Sequence, residues 1–401
     1  MKTLSVWCVI CGLAVAAFGA EVNPGEKSVV AGNTAFACDL YGKLKGQEGN
    51  LFLSPYSIST ALAMTYGGAG GDTGAQMAKT LHFDLAKEGL HPAFAALENG
   101  LAGVQKKGKI KLAVANSLWP QKGYAFLPEY LDLCKKNYGT VITPLDYLKA
   151  AESARKTINA WVEDKTSKKI TDLIGPGVLG AMTRMVLVNA IYFKGDWASQ
   201  FKTEATQKHP FHISAGKTVD VALMHQRHEF AYSENDDMQV LELPYAGIDL
   251  SMIVLLPRKT DGIADLEAKL STQNLTAWTG RLGFPKVDVF LPKFKMTSQF
   301  SLNDKLAALG MTDAFSSKAD FSGMNGKRDL YISAVIHKAF VEVNEEGTEA
   351  AAATAVAISC KSERIEPPSV VFRADHPFLF LIRDNHTGSI LFLGRITDPT
   401  K

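Results

Sequence analysis

Cysteine is scarce, with five residues in a chain of 401. Cys8 and Cys11 lie in an N-terminal apolar run, and Cys38, Cys134 and Cys360 are far apart and odd in number. That excludes a disulfide framework or a zinc-ligand spacing for the body of the chain. Neither sign of charge dominates: 43 Lys and Arg stand against 41 Asp and Glu, a formal net charge of +2. The balance gives no basis for nucleic acid or an anionic membrane as a partner. Long apolar runs are also missing, except residues 4–18, interrupted only by Ser5 and Gly12. That run is too short to span a bilayer comfortably. With Lys2 ahead of it and the small residues of Ala17-Phe18-Gly19 at its end, it reads as a signal peptide over residues 1–20. The expectation is a secreted protein, extracellular or, from a bacterium, periplasmic. No repeat, low-complexity linker or composition break divides residues 21–401, so a single domain and a monomer are expected.

Catalytic signatures are absent as well. There is no G-x-S-x-G elbow. A phosphate-binding G-x-x-x-x-G-K-[ST] is missing, and the glycines from Gly67 to Gly74 do not fit G-x-G-x-x-G. His225, His228 and Glu229 lack the spacing of a metalloprotease motif and read as structural or surface residues. No metal and no cofactor is implied. The basic run of residues 105–111 reads as a solvated turn that leaves room only for a weak polyanion contact. An enzyme reading therefore has no positive support.

What is present is a helical first half and a strand-rich second half, an α+β pattern. Apolar spacing predicts a helix over 33–44, capped by Asn33 or Thr34. Ser54 as N-cap and Pro55 at the first position open a second helix, which Gly67 to Gly71 stop. Further helices are predicted over 72–81, 93–104, 127–137, 150–166 and 301–309. Strands are predicted over 111–119, 185–193, 238–243, 250–256, 286–293, 335–344, 370–373, 378–383 and 390–396. Residues 185–193 are almost uniformly apolar, as in a strand buried on both faces. Cys38 and Cys134 lie in apolar helical patterns and are expected to be buried thiols.

The most informative stretch is residues 347–361, small, nearly charge-free and proline-free, between Glu345-Glu346 and a charged, proline-containing segment. It has the composition of a sheet interior in the setting of a loop. It is also alanine-rich, and alanine is the best helix former. Cys360 lies beside Lys361, which can lower a thiol pKa.

Six ordered blocks resemble the serpin family, from about Val29 to Lys401. They are the segment at 50–58 (NLFLSPYSI), the one at 188–197 (VNAIYFKGDW), and the shorter blocks at 291–294 and 309–311. The hinge-like Glu345-Glu346-Gly347-Thr348-Glu349-Ala350 and the C-terminal 372–378 (FRADHPF) complete the match. The resemblance implies three β-sheets, eight or nine helices and an exposed reactive loop at about 345–368. It also implies a suicide-substrate mechanism: a serine protease attacks the loop, forms an acyl-ester, and is trapped as the cleaved loop enters the main sheet.

Residue roles follow from the same resemblance. The hinge comprises Glu345, Gly347, Thr348, Glu349, Ala350, Ala351 and Ala352. Ser54, Ser57, Asn189 and His337 are the polar cluster that lets two strands part. Trp197 and Lys293 stand where the loop enters, with Lys293 pairing Glu345. Family spacing puts the scissile bond between Lys361 and Ser362, with Arg364 as the competing site. A lysine there suits a trypsin-like serine protease, held as a covalent complex. Alternation along a strand puts Thr348, Ala350, Ala352, Thr354, Val356 and Ile358 on one face, with no charge and no proline among them. The alternative is a non-inhibitory serpin acting as a binding or carrier protein.

Overall fold

The strand Met185–Asp196 is the axis of the molecule. Its alternate residues serve two different cores. Met185, Leu187, Ile191 and Phe193 join the large core, while Val186, Val188, Ala190 and Tyr192 pack on the opposite side. This is the burial on both faces expected of its almost uniformly apolar run. The structure is a computed structural model that describes residues 22–107, 110–140, 142–348 and 369–401. The proposed signal peptide and Glu349, Ala350, Ala351, Ala352, Thr354, Cys360, Lys361, Ser362 and Arg364 lie outside the described residues.

Three sheets are formed among the described residues. The central sheet runs Phe294–Ser301, Ala334–Val343, Gly347–Thr348, Met185–Asp196, Ile110–Pro120. A six-stranded sheet runs Leu51–Leu53, Ile390–Ile396, Phe378–Asp384, Leu250–Pro257, Met238–Pro244, Ala231–Glu234. The third has four strands, Val370–Arg373, Lys286–Pro292, Lys217–Glu229 and Gln207–Ser214. Helices Pro24–Leu44 and Pro55–Gly67 contribute to the large core. Helix Tyr147–Lys165 lies on the other face of the central sheet through Ala154, Ile158 and Val162. The described residues include ten α-helices, more than the eight or nine expected, because three of them have only four to six residues.

Several boundaries differ from the sequence reading. The first helix starts at Pro24, not near Asn33: Asn23 and Glu26 form a reciprocal capping box. Asn33 is instead buried inside the helix, its Oδ1 accepting from Ser59 Oγ at 2.6 Å. The helix expected over 93–104 begins at Lys87 and runs through Pro92. Ser301 ends the strand Phe294–Ser301 rather than opening a helix; the helix is Asn303–Ala308. Cys134 is buried as expected, but Cys38 is only half-buried.

Candidate functional site

The site lies at the head and middle of the central sheet. At the head, the chain leaves Ala334–Val343, reverses, and returns as Gly347–Thr348 between that strand and Met185–Asp196. The reversal is an Asx turn: Asn344 Oδ1 accepts from the N–H groups of Glu346 (3.1 Å) and Gly347 (3.2 Å). Neighbouring residues hold the turn from outside. The N–H of Trp197 donates to Glu346 O at 2.8 Å, that of Phe201 to Glu345 O at 2.9 Å, and Trp197 Nε1 to Asn344 O at 3.0 Å. Gly347 is required here, because a Cβ would stand 2.2 Å from Gly195 O.

Thr348 is fully buried and hydrogen-bonds Tyr245 through their hydroxyls at 2.8 Å. Tyr245 stacks on Trp197, with ring centroids 4.7 Å apart, and meets Phe193 edge-on. Lys293 Nζ lies 2.8 Å from Glu345 Oε2, and Thr206 Oγ1 donates to Glu345 Oε1 at 2.9 Å. Burial works to raise the Glu345 pKa. The hydrogen bonds from Lys293, its own backbone and Thr206, with the Lys293 charge, outweigh it and hold the carboxyl below its ordinary value.

Below the hinge the two strands meet directly, residues 334–340 pairing in parallel with 186–192. His337 and Asn189 face each other across that pair, Nδ1 to Oδ1. Ser54 N–H donates to His337 Nε2 at 3.0 Å. With Nε2 accepting, the proton belongs on Nδ1 and is donated to Asn189. Asn189 Nδ2 donates to Ser57 Oγ and to Asn116 Oδ1, each at 2.6 Å. Ser54 Oγ donates to Leu391 O at 2.6 Å and receives the Ser57 N–H at 3.1 Å. Ser54, Ser57, Asn189 and His337 are all sealed from solvent. Burial pushes the His337 pKa down to about 3, so the ring is neutral.

The structure thus brings Ser54, Ser57, Asn189 and His337 into one network, and Trp197, Lys293, Glu345, Gly347 and Thr348 into another. Asn116, Tyr245, Asn344 and Thr206 were missed by the sequence reading. Asn116 had a signal: it is an amide within the mostly apolar strand Ile110–Pro120, and it pairs with Asn189 across the sheet. His225 stacks on Phe290 and lies 3.4 Å from Asp288, within the strand Lys217–Glu229. Among the described residues no group of three or more His, Cys, Asp or Glu could hold a metal. In the basic run, Lys107 pairs with buried Asp249 at 2.6 Å and Lys111 donates to Ser167 Oγ at 2.7 Å.

A three-sheet fold with a strand hinge seated at a partly opened central sheet defines the class. A model of the family described as Serpin (serine protease inhibitor) matches residues 31–399, and the chain belongs to that family. By that membership it is a protease inhibitor and not an enzyme. It is 47% identical over 380 residues to the leukocyte elastase inhibitor of Homo sapiens, covering 92% of this chain and 98% of the relative. The leukocyte elastase inhibitor of Xenopus tropicalis is 45% identical over 378 residues, covering 91% and 98%. Among solved structures, uncleaved ovalbumin superposes with a TM-score of 0.84 at 35% identity, covering 93% of this chain and 100% of that one. Human thyroxine-binding globulin superposes with a TM-score of 0.85 at 31% identity, covering 94% and 100%.

Proposed function

We propose that this protein is a secreted suicide-substrate inhibitor of trypsin-like serine proteases, attacked between Lys361 and Ser362. Insertion of the cleaved segment into the central sheet then traps the acyl-enzyme. The observation that carries this reading is the seat of Gly347–Thr348, antiparallel to the strands on both sides. Thr348 lies opposite Val343 and Gly195. Continuing that register past 348 brings Thr354 opposite both His337 and Asn189. A hydroxyl then arrives where the bond between those two side chains holds the strands together, and it can bond to either. Thr348, Ala350, Ala352, Thr354, Val356 and Ile358 share the inward face, and none brings a charge into the core.

Lys361 supports a trypsin-like target, since a long cation needs a carboxylate at the base of the specificity pocket. A second reading is favoured by the names of the relatives, leukocyte elastase inhibitors, which point to an elastase-type enzyme. Incubation with trypsin and with leukocyte elastase, followed by boiling in detergent, separates the two. A resistant complex with trypsin, lost in Lys361→Ala, supports the first. A complex with elastase alone, indifferent to that substitution, supports the second. Cleavage without any complex sinks both and leaves a non-inhibitory binding protein.

A further inference from the structure

Two asparagines carry the N-x-[ST] acceptor pattern, Asn274-Leu275-Thr276 and Asn385-His386-Thr387. Their side-chain amides are used differently. Asn385 lies in the turn between Phe378–Asp384 and Ile390–Ile396. Its Nδ2 donates to Ile248 O at 2.9 Å and to Ser251 Oγ at 2.7 Å. Its backbone N–H donates to Asp249 O at 2.8 Å. Both amide hydrogens are therefore engaged in tethering one turn to another. Asn274 lies in the first turn of helix Thr272–Thr279, behind the N-cap Ser271. Its Nδ2 has one acceptor among the described residues, Lys269 O at 2.6 Å, in an exposed bond. Gln273 and Thr276 beside it are exposed.

N-linked glycosylation replaces one amide hydrogen by a sugar carbon. The asparagine nitrogen attacks C1 of a lipid-diphosphate-linked oligosaccharide. The N–C bond forms, the C1–O bond breaks, the lipid diphosphate leaves and the amide loses one proton. The secondary amide that results keeps one N–H. For Asn274 one is enough: the bond to Lys269 persists and the sugar takes the direction of the other hydrogen. For Asn385 it is not. C1 sits about 1.45 Å from the nitrogen, on the line to one of the two acceptors, and displaces it.

We infer that Asn274 is the N-glycosylation site of the folded protein and that Asn385 is an unmodified tether. The inference rests on the secretion reading above. The full chain, expressed in a eukaryotic secretory cell, is recovered from the medium for N-terminal sequencing, intact mass and glycopeptide mapping. One glycan is expected, on Asn274, and it disappears in Asn274→Gln. Asn385→Ala keeps that glycan and lowers the Tm by about 2–4 °C. A glycan on Asn385 in secreted folded protein, or none on Asn274, overturns the assignment. Retention inside the cell with residues 1–20 still attached overturns the secretion reading alone. In that case residues 21–401 behind a heterologous leader decide the site by the same mapping.

Discussion

His337 shows what one residue can fix at the centre of a sheet. Its ring is buried and neutral, accepting from Ser54 and donating to Asn189, so each nitrogen has a partner only in one tautomer. Protonation puts a second donor on Nε2, against the Ser54 N–H, inside a site sealed from bulk solvent. The folded pKa of about 3 lies below the ordinary 6.5. Between those values the unfolded chain binds the proton and the folded one does not, so stability is full above about pH 6.5 and declines as the pH falls towards 3. At pH 5 the loss is about 2 kcal/mol. Urea unfolding at pH 7.5 and pH 5 measures it, with His337→Gln as the control. The variant is expected to lose about 2 kcal/mol less than the parent over that interval. Equal losses in the two proteins would assign the acid sensitivity to other groups.

At the scale of elements, the head of the central sheet is held by a clasp between the turn after Ala334–Val343 and Lys293, just before the strand Phe294–Ser301. Glu345 is nearly buried and Lys293 partly exposed, so reversing the Glu345 charge leaves two cations in a poorly hydrated pocket. Glu345→Lys is expected to destabilise the fold by about 3 kcal/mol. It should also speed self-association on warming, because a loosened head exposes unpaired strand edges. The exchanged pair, Lys293→Glu with Glu345→Lys, should restore most of both in size-exclusion and melting measurements. If the single variant self-associates no faster than the parent, the clasp does not control the sheet. The elements themselves were legible where local chemistry suffices: Ser54-Pro55 marked a helix start, and the apolar run at 185–193 marked a doubly buried strand. The first helix was read too short because Gly32 and Gly25 dilute its apolar pattern, although Asn23 and Glu26 spell a capping box. The strands Gln207–Ser214 and Lys217–Glu229 were missed because their side chains are largely polar and half-exposed. Ser54, Ser57, Asn189 and His337 were placed only through a family resemblance. Nothing in their local sequence states that elements 283 residues apart, at Ser54 and His337, will meet.

Over the whole molecule, the central sheet combines two incompatible arrangements along one seam. At the head, Thr348 separates Val343 from Gly195; lower down, seven consecutive residues of the same two strands pair directly in parallel. A strand added in the register of Gly347–Thr348 would exchange those parallel contacts for antiparallel ladders on both sides, at the same spacing as the existing hinge. Antiparallel pairing is the more stable per residue. The row proposed to face inward, Thr348, Ala350, Ala352, Thr354, Val356 and Ile358, carries no charge, so its insertion would bring none into the large core. Cleavage at Lys361 frees the segment from the strand Val370–Arg373 and removes the covalent constraint on that exchange. The cleaved protein should therefore melt at least about 10 °C above the intact one, a gain on the order of several kcal/mol for a chain of this size. Thr354→Arg, which would place a cation between His337 and Asn189, should abolish the rise while leaving the intact protein's Tm unchanged. A cleaved parent that melts with the intact protein would mean the sheet never accepts the segment. That outcome would leave the fold with a binding role in place of a trapping one.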